Sequence, residues 1–123
     1  RSFIAAGTGI TPFLSYFVCE AFKLFNNEIY LYYVAKDQVH LFHFNELEHL
    51  VTNYKNFHTN YYITKENNIK SSKFNYNRIQ VEDIMVNAIN ANFYISGPKD
   101  FIMDLTIKLK QQGICKVYSE EWT

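Results

Sequence analysis

The chain has 123 residues, of which 48% are hydrophobic, 20% charged and 18% aromatic, and twelve basic side chains balance twelve acidic ones. That length accommodates one domain with a real core, and the even charge argues against nucleic acid as the main partner. No run of about 18 apolar residues occurs, so no membrane span is expected, and the two distant cysteines, Cys19 and Cys115, make no disulfide framework, which favours a reducing, cytoplasmic setting.

Arg1 leads straight into an apolar strand, Phe3 to Ala6, without an initiator Met or a tail, as expected of a piece cut at a domain boundary. The strand runs into Gly7-Thr8-Gly9-Ile10-Thr11-Pro12. Gly7 and Gly9 permit tight or left-handed backbone and close approach to a ligand. Pro12 suits a first helical turn, whose free N–H groups and positive dipole end attract an anion. This is not the G-x-G-x-x-G fingerprint, because Pro12 occupies the third glycine's position. A β-branched side chain at Gly9 is therefore expected to block a pyrophosphate more than it harms the fold.

Thr11 to Phe25 reads as a helix, with Phe13, Leu14, Phe17, Val18, Ala21, Leu24 and Phe25 at the helical period and Cys19 as a small core residue. Asn26-Asn27 ends it. Glu28 to Ala35 is a second strand, apolar enough to be buried on both faces. After the loop Lys36-Asp37-Gln38, a helix starts at Asn45, with Asn45 and Glu48 placed as a capping-box variant. Asn56 to Thr64 is a third strand, and the polar stretch Lys65 to Asn77 reads as a long loop. Val81, Ile84, Met85 and Ala88 mark a short helix. Asn92 to Ser96 is a fourth strand, ended by Gly97-Pro98. Asp100 to Gln112 is a helix with acids early, lysines late and Gly113 at its end. Ile114 to Tyr118 is a fifth strand.

Strands and helices thus alternate. The pattern predicts an α/β fold: a five-stranded parallel sheet with helices on both faces, Rossmann-like, filling residues 1–123 as one domain. Ligands of such sheets bind beyond the carboxyl ends of the strands, where the strand order reverses. Both glycine turns, at Gly7 and Gly97, lie at such ends.

Several segments together carry a family resemblance. Gly7 to Pro12 resembles the G-[TA]-G-I-T-P turn of the nicotinamide-binding domain in the ferredoxin–NADP(H) reductase family. Tyr94-Ile95-Ser96-Gly97-Pro98 resembles that family's Y-x-C-G-P turn. Asp37 to Leu50 is similar to its D-x-L-x-x-x-x-E-L-x-x-L segment, through Phe44, Glu46, Leu47 and Leu50. Asn77-Arg78-Ile79 resembles G-R-[IV], and Glu120-x-Trp122 the closing E-x-F. The resemblance spans the chain in order. It implies an upstream flavin-binding barrel, hydride passing from NAD(P)H to FAD or FMN, and single electrons passing on to a flavodoxin, ferredoxin or haem protein. The isolated piece would then bind nucleotide without turning over.

The same resemblance assigns candidate residues. Gly7, Thr8, Gly9, Ile10, Thr11 and Pro12 would hold the pyrophosphate; for Thr8 and Thr11 the plainer role is helix capping. Gly97 and Pro98 would shape the nicotinamide pocket, with Ser96 where the family usually has Cys. Lys36, Thr64 and Lys65 follow strands two and three, where an adenosine ribose would lie, and a cation there favours a 2′-phosphate. Thr64-Lys65 resembles the Ser-Arg pair of NADPH-using members, so the choice between NADH and NADPH stays open, leaning to NADPH. Trp122 would face flavin or adenine, or merely cover the last strand. His40 and His43 have too few companions for a metal site. Two other readings remain: a non-catalytic, reductase-like nucleotide-sensing or interaction module, kept alive by Ser96, and an unrelated flavodoxin-like domain binding another phosphate ligand.

Overall fold

The computed structural model describes residues 1–20, 28–65, 74–86, 92–114 and 116–121. Strand β1 (Ser2–Ala6) passes through a single 3-10 turn, Gly7–Gly9, into helix α1 (Ile10–Glu20). Then follow β2 (Ile29–Ala35), α2 (Phe44–Asn53), β3 (Phe57–Ile63), β4 (Phe74–Asn75), α3 (Val81–Met85), β5 (Phe93–Gly97), α4 (Lys99–Gln111) and β6 (Val117–Glu121). The sheet is parallel throughout, in the order β4-β3-β2-β1-β5-β6. The chain starts at β1, works outward to β4, then returns to the other side of β1. The strand order therefore reverses between β1 and β5.

Strand alternation divides the core in two. Phe3, Ala5, Leu31, Tyr33, Tyr61 and Ile63 face α1 and α2, meeting Phe13, Phe17, Leu47 and Leu50. Ile4, Tyr32, Tyr62, Phe93 and Ile95 face α3 and α4, meeting Val81, Ile84, Ile102, Leu105 and Leu109. Helices thus cover both faces, as the alternation of elements predicts. The register keeps like faces together: Phe3 pairs with Tyr94, and Ile4 with Ile95.

The differences from the sequence reading are local. The sheet has six strands rather than five, because Phe74–Asn75 pairs with Tyr61 and Tyr62 inside the stretch read as a loop. The last strand lies at Val117–Glu121, three residues later than expected. Helix α2 is not capped at Asn45; its N-cap is His43 in the left-handed region (φ 60), with no side-chain hydrogen bond. On α1, Val18 and Cys19 are exposed rather than core. They fall on the edge of the apolar stripe that turns away from the sheet. Helix α4 matches its expected caps: Asp100 lies in the first turn, Lys108 and Lys110 in the last, and Gly113 (φ 86) follows. There the Ile114 N–H donates to the Leu109 carbonyl and the Gly113 N–H to the Lys110 carbonyl, satisfying the open helix end. Ala21 to Asn27, Ala88, Cys115 and Trp122 lie outside the described residues.

Candidate nucleotide-binding site

The two glycine turns meet at the reversal point. Ala5 pairs with Ser96 in the β1–β5 ladder, so both strands end side by side. The turns do not merely approach one another but touch. A Cβ on Gly9 would lie 2.4 Å from the Ser96 carbonyl oxygen and 2.7 Å from its carbon. No side chain fits there. Gly9 is buried, and its φ is not positive. This corrects the expectation for Gly9: the glycine is required by backbone packing against β5, so a larger residue strikes the fold before it strikes a ligand.

Gly7 has the opposite character. Its φ is +58, and a Cβ there would meet nothing within 4 Å. The requirement is conformational, and the space beside it is open. After the turn, Ile10 is fully buried, while Thr8, Thr11 and Pro12 are exposed at the start of α1. The 3-10 turn is capped by Ala6, so no side chain caps it. Across the seam, Gly97 is buried and Pro98 is the N-cap of α4. Ser96 is fully buried, and its hydroxyl has no hydrogen-bond partner. A buried hydroxyl left unpaired is costly. Open space at Gly7 and an unpaired Ser96 hydroxyl at the same end of the sheet fit a site that accepts a polar ligand.

A second feature lies beside this seam. A cleft of about 450 Å³ opens between the ends of β2 and β3 and helix α4. Thr64, Lys65 and Arg78 line one wall, and Asp100, Asp104 and Lys108 the other. Val34, Ile79 and Leu105 contribute apolar surface. Asp104 pairs with Lys108 at 3.0 Å. Among the described residues, no carboxylate pairs with Lys65 or Arg78. Phe101 joins the two features: it lines the cleft, and its ring edge would lie 3.1 Å from a Cβ on Gly97.

The structure brings together most of the residues singled out from sequence. Thr64 and Lys65 share the cleft. Lys36 lies next to them along the sheet end, where its carbonyl accepts the Lys65 N–H at 2.8 Å, but its side chain does not line the cleft. Arg78 was not among the sequence candidates and is the residue that completes the cation pair. Thirteen positions separate it from Lys65, and β4, just before it, pairs with β3 at the sheet edge. Asp37 caps the turn at Gln38–His40: its carboxylate accepts the His40 N–H at 3.0 Å and lies 2.6 Å from His40 Nδ1. That side-chain contact, with the backbone N–H, holds the Asp37 carboxyl below its ordinary range. The described residues contain no cluster able to hold a metal ion, and none of their helices is long and apolar enough to cross a membrane.

Comparison with solved structures places this geometry. The flavohaem-like FAD/NAD-binding domain of a nitric oxide dioxygenase from Vibrio cholerae O1 biovar El Tor matches with a TM-score of 0.87 at 16% identity, over 98% of this chain and 50% of that one. Flavohemoglobin from Malassezia yamatoensis, solved with FAD and haem, gives 0.83 at 25% identity, over 99% and 31%. A ferredoxin–NADP+ reductase from Neisseria gonorrhoeae, solved with FAD and NADP, gives 0.79 at 18% identity, over 98% and 55%. The chain thus spans at most 55% of the length of any of the three. No curated protein matches by sequence. The fold is the ferredoxin-reductase type of parallel sheet, and a family model matches residues 3–106. With its two glycine turns joined at the strand reversal, the chain belongs to the oxidoreductase NAD-binding domain family.

Proposed function

We propose that this domain binds NAD(P)H across the β1/β5 seam and serves a flavin-dependent reductase whose flavin-binding domain precedes it. The observation that carries the reading is the contact between the Gly7–Gly9 turn and the Ser96–Gly97 turn, with the Lys65–Arg78 cleft alongside. Backbone N–H groups after Gly7 hold the pyrophosphate. Ser96, Gly97 and Pro98 shape the nicotinamide pocket, and Thr64, Lys65 and Arg78 receive the adenosine ribose, favouring a 2′-phosphate.

The hydride chemistry belongs to the cofactors, NAD(P)H delivering hydride to FAD or FMN and single electrons then leaving for a protein acceptor such as a flavodoxin, ferredoxin or haem protein. This chain's residues position the nucleotide and exclude water. The neighbours support the flavin assignment, since two of those described above were solved with FAD. The protein works in the cytoplasm. A nucleotide-sensing role without turnover is the alternative, favoured by Ser96 at the position of the family's Cys.

Calorimetric titration of the chain with NAD+, NADP+, FAD and FMN tests the reading. Weak nucleotide binding without flavin binding is expected. Flavin binding tighter than nucleotide binding would overturn it, and absence of NAD(P)H oxidation by the flavin-loaded full-length protein would favour the sensing role.

A further inference from the structure

Tyr33 is fully buried in the core under α1 and α2 and has no part in the scheme above. Its hydroxyl donates to the Gly7 carbonyl at 2.7 Å and accepts the Phe42 N–H at 3.0 Å. Because the Phe42 N–H points at the oxygen, the hydroxyl hydrogen is left for Gly7. Burial raises the phenol above its ordinary range, so it remains a donor at any physiological pH.

The two groups that Tyr33 ties together border unusual backbone. Gly7 itself has φ +58, and Phe42 precedes His43 at φ 60. Gly7 has no side chain to restrict rotation of the peptide that follows it. That peptide is planar and trans, so its C=O and the Thr8 N–H point in opposite directions. Holding the Gly7 carbonyl toward the Tyr33 hydroxyl therefore turns the Thr8 N–H away from that hydroxyl. A pyrophosphate needs that N–H presented in one fixed direction before it arrives.

We infer that Tyr33 is a positioning residue for the dinucleotide turn: its hydroxyl sets the Gly7–Thr8 peptide in the ligand-binding orientation and couples it to the segment leading into α2. The inference rests on the nucleotide-binding reading. Tyr33 touches no cofactor; it acts through the backbone of Gly7.

The test compares Tyr33→Phe with Tyr61→Phe. Tyr61 is the cross-strand neighbour of Tyr33 and is buried on the same α1–α2 face, but its hydroxyl donates to Glu48 Oε2 at 3.0 Å rather than to Gly7. Each variant keeps its ring and loses one buried hydroxyl, so thermal melts should show similar losses. Calorimetry should find NAD+ binding weakened roughly five- to tenfold in Tyr33→Phe, the scale of one net hydrogen bond, and unchanged in Tyr61→Phe. Adenosine, which has no phosphate, should bind all three proteins equally by ligand-observed NMR. Wild-type NAD+ affinity in a folded Tyr33→Phe, or an equal loss for adenosine, overturns the inference alone. Failure of the wild type to bind NAD+ overturns the functional reading and the inference with it. If Tyr33→Phe does not fold, amide exchange in the wild type decides: NAD+ should slow exchange at Phe42, and an unchanged rate at Phe42 beside slowed exchange at Thr8 overturns the coupling.

Discussion

The glycine seam and the cation cleft sit at the same end of one sheet, yet they are built from different material. The seam is backbone against backbone: Gly9 is buried on Ser96, and no side chain can enter. The cleft is made by side chains at exposed positions, Thr64, Lys65 and Arg78, that contribute little to the core. Where a site is made of backbone, binding and stability are one property and fail together. Where it is made of surface side chains, the two separate, and ligand preference can change at little cost to the fold.

The largest expected effect lies in the seam. Gly9→Ala should destabilise by about 3 kcal/mol or more, because even one methyl group forces the Ser96 carbonyl aside. The melting temperature should fall by roughly 10 °C. A well-folded Gly9→Ala with normal melting would show that the turns can move apart and would break the comparison.

The cleft should behave in the other way. Lys65→Ala should weaken NADP+ binding by about 1–2 kcal/mol and leave NAD+ binding and the melting temperature nearly unchanged. The loss should shrink as salt rises, since an exposed cation attracts a phosphate through a screened field. Lys36→Ala should do much less, because its side chain does not line the cleft. Titrations of wild type and both variants at low and high salt measure this, and equal losses for the two nucleotides would remove the case for NADPH.

The smallest effect concerns Asp37, beside Lys36 at the margin of the cleft. Its carboxyl is held below its ordinary 3.8 chiefly by the side-chain hydrogen bond to His40. A carboxyl whose pKa is lowered by folding stabilises the native state above its unfolded pKa, and that stability is lost as pH falls through the folded value. Melts of wild type and Asp37→Asn should therefore differ slightly near neutral pH and converge below pH 3.8. A gap that persists in acid would show that Asp37 acts without its charge.

Much of this architecture is legible in the sequence, and the reasons are physical. The long apolar strands and the stripe of Phe13 and Phe17 carry strong periodicity, and the glycine turns punctuate strands at the ends where ligands of parallel sheets bind. Strand β4 escaped because two residues, Phe74 and Asn75, cannot display a period. The His43 cap escaped because its left-handed backbone has no sequence mark in a histidine. Arg78 was visible as part of a motif, but its partnership with Lys65 is created only by the fold. The need for glycine at position 9 was legible and its cause was not, since a collision with Ser96 is a property of the assembled sheet.

The strand order also sets when the site can exist. Pairing of β1 with β2 and of β2 with β3 closes short stretches of chain, whereas pairing of Ala5 with Ser96 closes most of it. Loop closure costs more entropy as the loop lengthens, and distant pairings slow folding. The β1–β5 seam is therefore expected to form after the β1 to β3 pairings. Contacts across it should carry low φ-values, and variants there should hasten unfolding more than they slow folding.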